Sequence, residues 1–309
     1  MNSVLFFLIS GVLLPSFANS LDSPWADTAR EMISAAKTGK SVEAVLKDKL
    51  PHLDEQLRSD APRNSLKELW GQSLNYDEHA KSTIVDVAIL NALSKEFGVA
   101  PLQGQVMHAG LGHTYGYLFS LLQTPYGFKR ARWIEGEIEK GFGLPATTFS
   151  PLTSEGTLFL NLTYFVGRIA FRDDSEKTHT LLNYKNKLST ALQTFDFDSI
   201  RIETVVESAG SFELRTDLVK FLLPSDGKNT TLLIYSVSNP LLGRRLITAF
   251  PVQSGFVAQL TDEDDMGKGK KATTHYNAYL EGVTGKEVDC DRNLITTAKK
   301  IRKKAKKQK

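Results

Sequence analysis

Residues 200–252, IRIETVVESAGSFELRTDLVKFLLPSDGKNTTLLIYSVSNPLLGRRLITAFPV, decide the fold. Ile200, Ile202, Thr204 and Val206 recur with a period of two, and Phe212, Leu214, Thr216 and Leu218 repeat it after Gly210. Successive side chains of a strand point to opposite faces, so this alternation marks strands with one packed face. Two further runs, TTLLIYSV and RLITAFPV, flank the turn-rich SNPLLG, and GFVAQL follows Ser254. Short strands punctuated by Gly, Pro and Asn, with no helix between them, predict an antiparallel meander over about residues 200–260.

Upstream the period is helical. Ser23 before Pro24 predicts an N-cap and a first helical position, with Trp25, Met32, Ile33 and Ala36 on one face before Gly39. Ser41 caps a second helix carrying Val42, Val45, Leu46 and Leu50, stopped by Pro51, and a short third carries Leu66, Leu69 and Trp70. The stretch from Tyr76 to Gly98 holds the clearest amphipathic stripe, Val85, Ala88, Ile89, Ala92, Leu93 and Phe97, closed by Gly98. This helix, from Asp77 to Phe97, is expected to pack on the sheet, because both have long apolar faces.

A helical hairpin is predicted next, one helix through YGYLFSLLQ capped by Thr114 and a second over Phe128–Lys140 with Ala131, Ile134 and Ile138 inward, joined by TPYG. Residues 157–171, TLFLNLTYFVGRIAF, are apolar, β-branched and aromatic, and read as a strand. A helix follows over SEKTHTLLNYKNKLSTALQTF, with Leu181, Leu188 and Leu192 on one face. The fold class is α+β, an N-terminal helical half packed on a C-terminal antiparallel β-sheet. Its organisation is a signal peptide over 1–18, a helical region over 19–145, a mainly β region with one helix over 146–290, and a basic tail over 291–309.

The apolar run VLFFLISGVLLPSFA is too short for the roughly 20 residues of a spanning helix, and Ser16 and Ala18 fit a cleavage site, so a secreted or periplasmic protein is expected. The n-region lacks Lys and Arg, so an uncleaved anchor is the alternative. Eight of the 38 Lys and Arg residues (Lys299, Lys300, Arg302, Lys303, Lys304, Lys306, Lys307 and Lys309) lie in the tail, which leaves 30 basic against 35 acidic residues elsewhere. Leu294, Ala298, Ile301 and Ala305 give this tail a thin apolar stripe, so it is expected to engage a polyanion or an anionic membrane surface. Cys290 is the only cysteine, which excludes an intramolecular disulfide, and Asp289 and Asp291 disfavour its thiolate.

Residues 104–151 concentrate the chemistry. Glycines at 104, 110, 112 and 116 permit close backbone approach, and among them stand His108, His113, Tyr115, Tyr117 and Tyr126, followed by Lys129, Arg130, Arg132 and Trp133. The histidines nominate a general acid/base. The phenols, cations and Trp133 nominate a site for a polar or anionic small molecule. His108 and His113, five apart, match no metal-binding spacing, so neither metal nor cofactor is assigned. Residues 261–277 imitate a calcium loop and a phosphate loop but fail both patterns, with Met266 and Thr273 at two calcium-ligand positions, and are expected to form a mobile charged loop. Asn161 and Asn229 each open a glycosylation-type triplet. Three functions stay open: a non-enzymatic binding protein with an aromatic and basic cleft, a hydrolase or nuclease-like enzyme using a histidine, and an interaction protein acting through its tail.

Overall fold

Helices dominate the first two thirds of the chain because their apolar residues recur every three to four positions, and the sheet comes last. The computed structural model describes residues 18–77, 80–124, 127–131, 135–209, 212–224, 229–240, 243–261 and 278–279. Residues 1–17, with the expected signal peptide, residues 262–277, Cys290, residues 291–309, and Tyr126, Arg132 and Trp133 lie outside the described residues.

In order, the helical part comprises α1 (Ala18–Lys37), α2 (Val42–Lys49), α3 (Pro51–Asp60), α4 (Asn64–Lys67), β1 (Gln72–Leu74), the pair β2 (Tyr76–Asp77) and β3 (Ser82–Thr83), α5 (Val87–Phe97), β4 (Val106–His108) and α6 (Ala109–Thr114). A 3₁₀ turn (Gly116–Phe119), β5 (Gln123–Thr124), β6 (Gly127–Phe128), α7 (Glu137–Phe142), α8 (Leu158–Ala170), α9 (Ser175–Leu182) and α10 (Thr190–Gln193) follow. Then come β7 (Arg201–Ala209), β8 (Phe212–Lys220), β9 (Asn229–Asn239), β10 (Gly243–Gln253), α11 (Ser254–Thr261) and β11 (Ala278–Tyr279), the last paired with β1.

The meander is confirmed as a four-stranded antiparallel sheet in the order β10-β9-β8-β7. Its alternation divides two faces. Val219, Leu232, Ile234 and Ala249 join the main core with the helices, while Leu214, Leu218, Leu233, Tyr235, Val237 and Val252 form a second cluster on the outer face. Phe256 and Val257 of α11 pack on that second cluster. GFVAQL is therefore helix and not a further strand, and the sheet ends at Gln253.

Other expectations need correction. Residues 158–170 form a helix, whose every residue except Arg168 is buried. A helix surrounded on all sides shows no apolar period, so composition misread it. This helix, with α6 and α7, is what packs on β9 and β10; α5 packs instead on α1, α2, α3 and α6. The stripe from Tyr76 begins as the β2–β3 hairpin, and its helix starts only after Asp86, whose side chain caps Ala88 N–H. Gly98 closes it at φ 69°, the left-handed conformation that favours glycine.

Where TPYG is expected to join two helices, β5 and β6 pair antiparallel, with Thr124 Oγ1–H donating to the Gly127 carbonyl at 2.7 Å. The expected helix through YGYLFSLLQ is only the 3₁₀ turn; of the helix expected over Phe128–Lys140, Phe128 is strand, Ala131 is helical with its carbonyl accepting Glu135 N–H at 3.0 Å, and α7 buries Ile138. The helix expected over 175–195 breaks into α9, a 3₁₀ turn and α10, although Leu181, Leu188 and Leu192 are all buried. Asn161 in α8 takes the Ser189 N–H at 3.2 Å, a donor that a continuous helix would keep for itself. Residues 146–209 thus hold more helix than the single one expected. Ser41 caps α2 through Ala44 N–H as predicted, whereas α1 starts before Ser23 and contains Pro24.

Candidate functional site

The site is built around α6, whose entry glycine serves packing. A Cβ on Gly110 would lie 2.9 Å from Trp70 and from Phe159, so only glycine lets this helix touch α8 and the Trp70 ring. His108 caps α6: its Nδ1 accepts Leu111 N–H at 3.1 Å, which makes Nε2–H the donor to the Lys67 carbonyl at 3.1 Å. Burial, aided by the Lys67 charge, lowers its pKa to about 4, so the ring is neutral.

One turn later His113 Nδ1–H donates to the Ala109 carbonyl at 2.8 Å, and its ring lies between Trp70 (6.3 Å, stacked) and Tyr117 (4.8 Å, tilted). Trp70 is itself pinned by Nε1–H to Thr163 Oγ1 at 2.9 Å. Lys129, delivered by the turn after β6, stands 5.5 Å above the Tyr117 ring and 3.1 Å from Asp77 Oδ2. Asp77 is fixed in turn by the Ala80 N–H on Oδ1 at 2.9 Å. His113, Tyr117 and Lys129, nominated separately in the sequence, thus share one ring. The Lys129 side chain, 16% exposed, is the most accessible part of a cluster whose other members, Asp77 included, are buried.

The other nominated residues go elsewhere. Arg130 is buried against the Phe128 ring, 3.9 Å away, and donates to the Ser120 carbonyl. Tyr115 turns to the opposite side of α6, where its hydroxyl donates to Asp60 Oδ2 at 2.6 Å. Burial and then the Asp60 charge push that phenol well above its ordinary range.

Asp60, at the end of α3, is fully buried and also accepts from Thr157, the α8 cap, at 2.7 Å and from Arg63 Nε at 2.9 Å. Burial outweighs these partners and raises its pKa to about 6. Glu139 in α7 is similar: burial raises it to about 7 although Phe149 N–H donates to it at 3.1 Å.

A second charge centre ties the end of α8 to the sheet. Asp217, fully buried, accepts from Thr204 at 2.7 Å, Arg172 at 3.0 Å and Arg215 Nε at 3.2 Å. Arg215 continues to Asp173 at 2.7 Å, which also receives Arg244 at 2.6 Å. Burial works against the Asp173 charge, but hydrogen bonds from Arg244 and Arg215 outweigh it and hold the carboxyl well below its usual range.

Asp60, Asp77, Thr157, Asp173 and Asp217 carried no motif in the sequence, since their partners lie on distant elements. Asn161 is buried inside α8 and its amide donates to the Thr148 and Glu155 carbonyls, so its glycosylation triplet is a packing element; the Asn229 amide donates to Glu137. Among the described residues no group of His, Cys, Asp and Glu is arranged to hold a metal ion, and no helix is long and apolar enough to cross a membrane. No protein family, no curated protein and no solved structure matches this chain.

Proposed function

We propose that the chain binds a polar or anionic small molecule at the cluster of His113, Tyr117 and Lys129. The observation that supports this is the shared Tyr117 ring: an imidazole touches one part of it and an ammonium stands over it. A carboxylate or phosphate on a ligand would compete with Asp77 for Lys129, and the aromatic surface would take its apolar part. The reading is tested by titrating acetate, inorganic phosphate and adenosine monophosphate into the protein and into Lys129→Gln by calorimetry. At least one anion should bind, and the variant should lose tenfold or more of that affinity without a change in its circular dichroism. Equal affinities would remove Lys129 from any binding role.

The tail and the leader carry two companion proposals. Eight cations in the last eleven residues support salt-dependent association with a polyanion, which deletion of residues 298–309 should abolish on a heparin column. The apolar N-terminal run with Ser16 and Ala18 supports secretion or a periplasmic location, and N-terminal sequencing of exported material should start near Asn19.

A further inference from the structure

Arg201 of β7 stands directly opposite Lys220 of β8, which in turn stands opposite Thr231 of β9. Like charges facing each other across an antiparallel pair destabilise it. Both cations are exposed, and among the described residues neither side chain makes a hydrogen bond or an ion pair. The nearest carboxylate along the strand, Glu203, shares their face two residues on, opposite Leu218, and also forms no ion pair among the described residues. The pair therefore contributes nothing to the sheet that an uncharged pair would not do better.

These side chains line a groove of about 360 Å³ between the outer sheet face and α11. Thr230, Thr231 and Ser254 add hydroxyls at the same place, and Leu218 and Val257 supply apolar surface. Two cations without side-chain partners among the described residues, hydroxyl donors and an apolar wall have the make-up of a pocket for an amphipathic anion.

We infer that this groove binds a small molecule with one terminal phosphate or carboxylate, its charged group between Arg201 and Lys220 and its apolar body against Leu218 and Val257. Glu203 restricts the ligand to one anionic end, because a second negative charge along the face would meet it. An extended polyanion is disfavoured for the same reason. The inference does not rest on the Lys129 cluster, which is built from different elements.

The test uses the full chain in low salt, with phenyl phosphate, benzoate, inorganic phosphate and a single-stranded oligonucleotide as calorimetric probes. Phenyl phosphate or benzoate should bind, whichever is preferred identifying the anion, and inorganic phosphate should bind more weakly for want of the apolar contact. Lys220→Gln should lose tenfold or more of that affinity while its melting temperature stays level or rises, because repulsion from Arg201 is relieved. The binding that Lys220→Gln removes should persist in Lys129→Gln, which separates this site from the one proposed above. Failure of both phenyl phosphate and benzoate to bind, an affinity unchanged in Lys220→Gln, or tighter binding of the oligonucleotide than of either would overturn the inference.

Discussion

Asp60 and Asp173 are both tied down by arginine, yet the surroundings push their protons in opposite directions. Asp60 is sealed among helix ends with one guanidinium, and burial wins, raising its pKa to about 6. Asp173 is half-exposed where α8 meets the sheet and holds two guanidiniums, which win over burial. The lesson is that counting hydrogen bonds does not predict protonation; the balance between enclosure and local positive charge does. The two centres should also respond oppositely to pH. Asp60 holds its proton longer folded than unfolded, so its contribution to stability is present below about pH 4 and is lost as pH rises to about 6. Asp173 contributes stability above the ordinary carboxylate range, which is lost as pH falls below it.

The sharpest break of the contrast is at the sheet. Asp217→Asn leaves Arg172 and Arg215 facing a neutral amide in the interior and should cost about 3–5 kcal/mol in urea unfolding at pH 7. A loss under about 1 kcal/mol would mean that water already screens this centre.

Glu139 extends the enclosed class, since burial outweighs the hydrogen bonds and the Lys140 charge that favour its carboxylate. Glu139→Gln should gain up to about 3 kcal/mol of stability at pH 8 and nothing at pH 4, where the native carboxyl is already protonated. Equal unfolding midpoints of the two proteins at pH 8 would refute the raised pKa.

Removing a donor from Asp60 sharpens the other side. Tyr115→Phe should cost about 2 kcal/mol and move the pH-dependent loss of stability to higher pH, because one bond favouring the carboxylate is gone. Thermal melts from pH 4 to 8 would show it, and a transition left in place would dissociate Asp60 from that dependence.

The smallest effect is expected from Asp60→Asn near pH 5. There the native group already carries its proton, so the amide should cost about 1 kcal/mol or less. A cost equal to that of Asp217→Asn would erase the distinction between the centres.

How far these features could be read from the sequence depends on how locally they are encoded. β7 to β10 alternate over whole strands, and the α5 stripe ends in a glycine that must be left-handed, so each declares itself within a dozen residues. α8 buries nearly its whole circumference and so loses the period that distinguishes helix from strand. Phe256 and Val257 make α11 a lid on the outer face, a role that a six-residue apolar run cannot reveal. In the site, His113, Tyr117 and Lys129 stand out as residue types, but their convergence depends on the β5–β6 pair, where the sequence pattern suggests only a connection between two helices. Tyr115 reaches a carboxylate 55 residues away, and no spacing rule connects them.

The two rims of the sheet differ in how they face other chains. Along β10 the main chain of the helical part closes the rim: Leu246 N–H donates to the Leu69 carbonyl and Gly71 N–H to the Leu246 carbonyl, both at 2.8 Å. That approach leaves little room for a side chain, since a Cβ on Gly71 would lie 2.8 Å from Ile247 Cδ1 and 3.3 Å from Arg245 Cβ. At the far rim, β7 pairs on one side only among the described residues. Its exposed Arg201 and Glu203 place opposite charges along the open backbone, so a foreign strand adding there must desolvate them. Protection against self-templated aggregation is thus steric at one rim and electrostatic at the other, and only the second is weakened by salt.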